Sequence, residues 1–315
     1  MQALDTQTTI AVIGAGAMGS GIAQVAAQAG HKVYLHDQRD GAATAGRDGI
    51  AKQLQRRVDK GKMEQQTVDA IVGRIQPVSA LSEVADSRMV IEAIVEDLEI
   101  KHSLLADLEE LCGEDAILAT NTSSISVTAL GAKLRHPKRL VGMHFFNPAP
   151  LMALVEVVKG LATDNAVAEI VHATAANWGK KPVFATSTPG FIVNRVARPF
   201  YAESLRLLQE GAADPATLDA IIRESGNFRM GPFELTDLIG HDVNYAVTNS
   251  VFNAYYQDAR FLPSLIQKEL VEAGRLGRKS GQGFYSYTDG SERPAPDTEP
   301  ARQSDDTTLV VEGDL

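Results

Sequence analysis

The run TIAVIGAGAMGSGIAQVAAQAG (residues 9–30) passes from a β-branched apolar segment, through glycines, into an alanine-rich stretch with helical patterning. TIAVIG (9–14) reads as a short buried strand ending in glycine, and Ala17 to Ala29 as the helix that follows. Between them stands Gly14-Ala15-Gly16-Ala17-Met18-Gly19. In that context the three glycines differ in what they allow. Gly14 permits a tight turn, Gly16 lets a pyrophosphate approach the backbone, and Gly19 lets helix and strand pack closely. The helix N-terminus adds N–H donors and a positive dipole. HKVYLHD (31–37) is a second strand, and Asp37 at its end stands eighteen positions after Gly19, where a carboxylate accepts hydrogen bonds from a ribose diol. Arg39 raises the option of NADP, but Asp37 would face a 2′-phosphate with like charge, so the expected cofactor is NAD. The bland reading, a glycine-rich turn beside an ordinary strand-end acid, leaves this placement unexplained.

Outward from this unit, apolar strand-like runs recur at MVIEAIV (89–95), AILATN (116–121), LVGMHFF (140–146) and KPVFAT (181–186). Helix-compatible stretches at 41–60, 97–111 and 164–178 separate them. Strands alternating with helices imply an α/β, Rossmann-like, doubly wound sheet that is mainly parallel. After Ser187-Thr188-Pro189-Gly190 the character changes: 191–209, 216–224, 237–256 and 263–273 suit helices, and no strand alternation survives. The expected organisation is therefore a nucleotide-binding domain over 1–188, an all-α domain over 189–287, and a polar linker or tail over 288–315, too poor in apolar area to fold alone. LVVEGDL (309–315) resembles the beginning of a strand, which suggests a chain that continues into a further domain.

Composition narrows the function. Thirty Lys plus Arg against forty Asp plus Glu give a net charge of -10, which argues against a nucleic-acid partner because phosphate backbones demand a concentrated positive field. The single cysteine, Cys112, excludes an internal disulfide and any metal site built from several thiolates; no metal is expected, and a reducing cytoplasm fits best. Thr6 to Gly30 is uncharged, but no basic segment precedes it and glycines interrupt it, so neither a signal sequence nor a membrane span is read there.

A second constellation lies in His144-Phe145-Phe146-Asn147-Pro148-Ala149-Pro150, followed by Leu154-Val155-Glu156-Val157-Val158. An apolar strand delivers His144, Asn-Pro reverses the chain, and a returning strand brings back Glu156. A histidine held by a carboxylate is fixed in tautomer and can accept a proton near neutral pH, as oxidation of an alcohol by hydride loss requires. The alternative is a buried histidine satisfied by backbone, with Glu156 on a surface strand. Asn121-Thr122-Ser123-Ser124 follows a strand at the carboxyl edge, where hydroxyls meet ligands or merely cap a helix. Asn194, four residues after Gly190, reads either as a satisfied interface polar group or as a donor to substrate.

The chain resembles the 3-hydroxyacyl-CoA dehydrogenase family over residues 8–287, through VIGAGAMGSGIAQVAA, VIEAIVEDLEIK, ATNTSSISVTAL, GMHFFNPAPLMALVEVV, TPGFIVNRVARP, MGPFELTDLIG and GRKSGQGFYSY in that order. WGKKPV, NRVARPFYAESLR and DVNYAVTNSVFNAYYQDARFLPSL are most similar to bacterial members of phenylacetate breakdown that act on 3-hydroxyadipyl-CoA or 3-hydroxybutyryl-CoA. The resemblance implies NAD-dependent oxidation of an L-3-hydroxyacyl-CoA to the 3-oxoacyl-CoA, by a homodimer paired through its helical domain. It makes His144 the catalytic histidine, Glu156 its paired acid, and Ser123 and Asn194 the residues that hold the reacting substrate oxygens. Gly14 to Gly19 and Asp37 take the adenosine and pyrophosphate of NAD. Glu96 and Lys101 match polar contacts on the nicotinamide side, Asn147 lies beside the catalytic histidine, and Lys279 matches a cofactor contact from the second domain. Lys60 aligns with a CoA-contacting lysine, within the only dense basic island, QRRVDKGK (55–62). Two positions depart from the family: Gln53 stands where some relatives have a CoA-contacting serine, and Ala153 replaces a common lysine.

Two rival readings share the nucleotide fold. A β-hydroxyacid dehydrogenase of small free acids relies on a lysine near its domain junction, for which only Lys180 and Lys181 are at hand. A non-catalytic dinucleotide-binding protein would keep the fold without turnover.

Overall fold

The computed structural model describes residues 2–299. By internal contacts the chain divides into two compact units, the first ending at Val196 and the second starting at Ala197.

In the first unit the strands are β1 (Ile10–Ile13), β2 (Val33–His36), β3 (Ile75–Val78), β4 (Met89–Glu92), β5 (Ile117–Thr120), β6 (Leu140–Phe145), β7 (Leu154–Lys159) and β8 (Lys181–Thr186). They form one eight-stranded sheet in the order β3-β2-β1-β4-β5-β6-β7-β8. All neighbours are parallel except β6 and β7. The helices are α1 (Ala17–Gln28), α2 (Ala42–Asp59), α3 (Gln65–Arg74), α4 (Leu98–Leu111), α5 (Val127–Gly131) and α6 (Asn165–Asn177). Side chains alternate across a strand, so Ile10 and Val12 enter one core with Val33, Leu35 and Ile91, while Ala11 and Ile13 enter the other with Tyr34 and Val90. Burial on both faces explains why these strands read as unbroken apolar runs. The lone tryptophan, Trp178, is buried in the first of these cores, 6.4 Å from the ring of Phe145 and 5.7 Å from that of His31.

The strand order reverses between β1 and β4, so the loops after Gly14 and Glu92 diverge and leave a crevice at the carboxyl edge. β3 and α3 are not anticipated by the sequence patterning. β3 is an edge strand, IQPV, with Gln76 exposed, and an edge tolerates Pro77 because one side of the strand needs no ladder hydrogen bond.

Helix α7 (Val193–Gln209) begins in the first unit and continues into the second, which adds α8 (Pro215–Glu224), α9 (Pro232–Ile239), α10 (His241–Ala254) and α11 (Leu265–Glu272). The helix expected over 237–256 is two helices: Gly240 at φ 102° breaks it, a backbone state that favours glycine. Tyr201, Leu205, Leu218, Phe233 and Tyr285 form the core of this unit. Two buried aspartates tie it together. Asp219 accepts from the amides of Phe233 and Glu234 at the start of α9 and from the Tyr285 hydroxyl. Asp237 accepts from the amides of Phe284 and Tyr285, from the Tyr287 hydroxyl and from His241. The polar stretch after residue 287 is held at its beginning: Arg293 pairs with Glu234 and stacks 4.4 Å from the Tyr285 ring, and the Asp297 amide donates to Thr217. Its remainder, including LVVEGDL, lies outside the described residues.

Candidate functional site

The glycine loop has the geometry its spacing implies. Gly14 sits at φ +105°, and a Cβ there would meet the Ala93 carbonyl at 2.4 Å. At Gly19 a Cβ would stand 1.7 Å from the Gly14 carbonyl oxygen, so α1 docks against the loop only because hydrogen occupies that place. Around Gly16 nothing lies within 4 Å, which leaves room for a phosphate at the N-terminus of α1. Asp37 accepts from the Ala15 amide at 2.8 Å, and Arg39 donates to it through Nε at 3.0 Å and Nη2 at 3.1 Å. Arg39, with the backbone amides, outweighs partial burial and holds the carboxyl at a pKa of about 2, so it is anionic throughout the physiological range. Beside it opens a cavity of about 650 Å³ in which Ile13, Leu81, Ile94, Ile100 and Leu104 stand among the polar side chains of His36, Gln38, Glu99, Ser103 and Asp107. A cavity with an apolar wall and polar groups at its margin, next to a strand-end carboxylate, fits an adenine ring and its ribose, so the residues present suit NAD.

The second centre is built by the one antiparallel pairing. His144 and Glu156 are direct partners in the β6–β7 register, joined through a turn with a cis Asn147–Pro148 bond. Their side chains meet at 2.6 Å, His144 Nδ1 to Glu156 Oε2, with Glu156 fully buried and His144 5% exposed. An ionised carboxylate only accepts, so Nδ1 carries the proton and Nε2 remains the basic nitrogen. The other oxygen, Oε1, accepts from the Ile192 and Val193 amides at 3.0 and 2.9 Å, where α7 begins. Both lone-pair regions of the carboxylate are thus committed, and the imidazole cannot rotate freely. Phe146 and Phe191 flank the ring at 4.5 and 5.6 Å. Phe191 adopts φ 47°, a strained state for an aromatic residue, and its buried ring against His144 is what that backbone turn delivers. Asn194 follows Val193 directly on α7, one residue from the amide that anchors Glu156.

A charge network lies under the loop after β5. Glu92, fully buried, accepts from Lys101 at 2.5 Å, from the Thr120 hydroxyl at 2.6 Å and from the Ile94 amide at 2.7 Å. Lys101 is 1% exposed and also reaches Glu96 at 3.2 Å. Glu96 in turn accepts from the amides of Ser123 and Ser124 and from the hydroxyls of Thr122 and Ser124. Burial resists its ionisation, but Lys101 and these donors prevail and lower its pKa. As unaided charges, Glu96 and Lys101 would read as a solvated helix start; the structure corrects this, because the Lys101 ammonium is consumed beneath Glu96 and supports the Ser123 loop from below. Asn121 fastens the same loop to β6 by accepting from the Phe145 amide at 2.9 Å.

Lys60 caps the C-terminus of α2 and is exposed, as are Arg56 and Arg57. Asn147 lines a groove between α1 and α2. Lys279 belongs to the second unit, where it pairs with Asp242 at 2.5 Å. Arg198 is 4% exposed and donates to the Asn244 carbonyl and the Thr248 hydroxyl. Lys180 donates to the carbonyls of Ala149 at 2.5 Å and Met152 at 2.9 Å. Burial lowers its pKa, and the side chain pins the turn after His144. Glu92 and Phe191 are absent from the sequence-derived set. A glutamate within the apolar run MVIEAIV was the available signal for the first; nothing local announced the second.

Two family models match the chain: "3-hydroxyacyl-CoA dehydrogenase, NAD binding domain" over residues 9–188 and "3-hydroxyacyl-CoA dehydrogenase, C-terminal domain" over 190–287. The 3-hydroxyadipyl-CoA dehydrogenase of Escherichia coli is 54% identical over 279 residues, covering 89% of this chain and 59% of that protein. The chain thus spans well under two thirds of that relative. A probable 3-hydroxybutyryl-CoA dehydrogenase of Deinococcus radiodurans is 43% identical over 276 residues, 88% of this chain and 99% of its own. Among solved structures, a 3-hydroxybutyryl-CoA dehydrogenase from Escherichia coli superimposes with a TM-score of 0.89 at 53% identity, over 93% of this chain and 61% of that one. The (S)-3-hydroxybutyryl-CoA dehydrogenase from Ralstonia eutropha gives 0.86 at 37% identity, over 90% and 100%.

Proposed function

The chain belongs to the 3-hydroxyacyl-CoA dehydrogenase family, and on that premise we propose that it catalyses the reversible, NAD-dependent oxidation of an L-3-hydroxyacyl-CoA to the 3-oxoacyl-CoA. The observation that carries the proposal is the 2.6 Å contact between His144 Nδ1 and Glu156, which leaves Nε2 as base. Bound NAD supplies the two-electron acceptor for the hydride leaving C3. Nε2 of His144 takes the hydroxyl proton of the substrate, and the adjacent Glu156 carboxylate stabilises the imidazolium that results. That proton passes to water when the product leaves. The hydroxyl of Ser123 and the carboxamide of Asn194 orient the C3 oxygen and the thioester carbonyl, with Glu96 holding the Ser123 amide in place. Gly14 to Gly19 and Asp37 bind the pyrophosphate and ribose.

Of the two lysines open to a β-hydroxyacid dehydrogenase, Lys180 is spent on two backbone carbonyls and Lys181 is exposed at the start of β8, which disfavours that chemistry. 3-Hydroxyadipyl-CoA and 3-hydroxybutyryl-CoA are the proposed substrates, with phenylacetate breakdown the proposed setting; names of the relatives support both substrates. A cytoplasmic homodimer is the proposed form. The single cysteine, Cys112, buried and unpaired, suits a reducing compartment. The exposed apolar side chains Leu238, Val243, Leu262 and Leu265 of the second unit suit a subunit contact. Among the described residues no helix is long and apolar enough to cross a membrane.

Mixing the protein with acetoacetyl-CoA and NADH tests the reaction: loss of the nicotinamide absorbance is expected, and its persistence would overturn the proposal. Comparing kcat/KM on 3-hydroxyadipyl-CoA and 3-hydroxybutyryl-CoA then ranks the two substrates.

A further inference from the structure

The second unit holds a cavity of about 570 Å³ that shares no residue with the glycine loop or the His144 centre. Four arginines line it, and they arrive from four separate stretches of chain. Arg223 comes from the last turn of α8, Arg229 from the loop before α9, Arg278 from the turn after α11, and Arg293 from the polar segment after residue 287. In a chain of net charge -10, this convergence runs against the composition. Like charges repel at close range, so guanidinium groups gather where anions neutralise them. Two carboxylates do part of this. Glu234, whose side chain is 6% exposed, pairs with both Arg223 and Arg293, and Asp219 lies 3.8 Å from Arg293. Arg229 and Arg278 make no ion pair among the described residues; Arg278 only stands over the Tyr287 ring, 5.5 Å from its centre.

We propose that this cavity binds an organic phosphate of nucleoside diphosphate size, with Arg229 and Arg278 as its principal phosphate-binding groups. Guanidinium forks match phosphate oxygens in pairs, and Arg223 and Arg293 reach Glu234 through one terminal nitrogen each, which leaves further donors for a ligand. The remaining wall is Ala216, Met230, Pro294 and Pro296, an apolar face of the kind that a base or other flat organic group covers. The volume exceeds what a bare phosphate fills and lies within the range of small-molecule sites. The wall is also held in place before any ligand arrives. Arg293 stacks 4.4 Å from the Tyr285 ring, the Asp297 amide donates to Thr217 at 2.8 Å, and two prolines restrict the backbone between these anchors. The segment after residue 287 thus supplies a cation and half of the apolar face.

Calorimetric titration with ADP tests this, with saturating NAD and acetoacetyl-CoA present to fill the sites assigned above. Both of those are oxidised, so no turnover intervenes. ADP is expected to bind, and inorganic pyrophosphate to bind roughly tenfold more weakly because it leaves the apolar face uncovered. Arg229→Gln and Arg278→Gln remove exposed side chains that no ion pair holds, so the melting temperature is expected to stay put. Each is expected to raise the Kd for ADP by roughly tenfold, the order of a lost charge-assisted hydrogen bond. Absence of ADP binding at millimolar concentration would overturn the proposal, as would binding that both variants retain undiminished. Pyrophosphate binding as tightly as ADP would refute the organic ligand and reduce the cavity to a phosphate site. Because the two arginines lie outside the dehydrogenase centre, their effect on ADP assigns this cavity whatever the thioester assay returns.

Discussion

Each unit contains a histidine held by a carboxylate, and the two pairs are put to different uses. In the first unit Glu156 grips Nδ1 of His144 at 2.6 Å, and Nε2 makes no hydrogen bond among the described residues. In the second, Asp237 grips Nε2 of His241 at 2.7 Å, both groups are fully buried, and Gln267 lies 3.4 Å from the remaining nitrogen. Asp237 also takes two backbone amides and a tyrosine hydroxyl, so the pair is a knot that joins α9 and α10 to the segment at 284–287. Glu156 takes two amides as well. The number of bonds to the acid therefore does not separate the two pairs; what differs is whether the imidazole keeps a nitrogen for a reacting proton. A histidine–carboxylate contact is evidence for catalysis only when that second nitrogen is left over.

The contrast breaks most visibly at His144→Gln, which is expected to lower kcat by roughly 10²- to 10⁴-fold, the worth of a general base, at an unchanged melting temperature. Steady-state turnover beside calorimetry reads both, and near-native turnover would dissolve the distinction between the pairs. The mirror experiment is Asp237→Asn. Loss of a buried acceptor of four donors is expected to destabilise the protein by about 3 kcal/mol in denaturant titrations, while the folded fraction keeps its turnover. A finer effect lies in pH. Burial disfavours the Asp237 anion, but its donors, His241 foremost, outweigh that and depress the folded pKa. The stabilisation is then fully present above the unfolded value of about 3.9 and is lost as pH falls through the depressed folded value. The gap between wild type and Asp237→Asn should be constant above about pH 5 and shrink in the more acid range. A gap that stays level on acidification would show that shape, not charge, binds this knot.

Much of the first unit was legible because its information is local. Gly14, Gly16, Gly19 and Asp37 announce themselves by spacing, and the Asn-Pro reversal already implied that Glu156 returns to His144. What escaped depends on tertiary context. Lys101 looks like any helix-start lysine until α4 brings it onto the buried Glu92 at the end of β4. The strand at Ile75–Val78 carries a glutamine and a proline that only an edge position tolerates. The break at Gly240 hid inside an otherwise helical pattern, and with it the pairing of Asp237 to His241 four residues on. Phe191 was invisible because a strained backbone is set by what surrounds it, not by its own side chain.

Trp178 gives these two units unequal voices. As the only indole in the chain, packed beside Phe145 in the core under the sheet, it makes intrinsic fluorescence a report on the first unit, while far-ultraviolet ellipticity registers the helices of both. Unfolding curves from the two signals overlay if the units melt together and separate if the second loosens first, so one sample read at two wavelengths reveals whether they share a single cooperative transition.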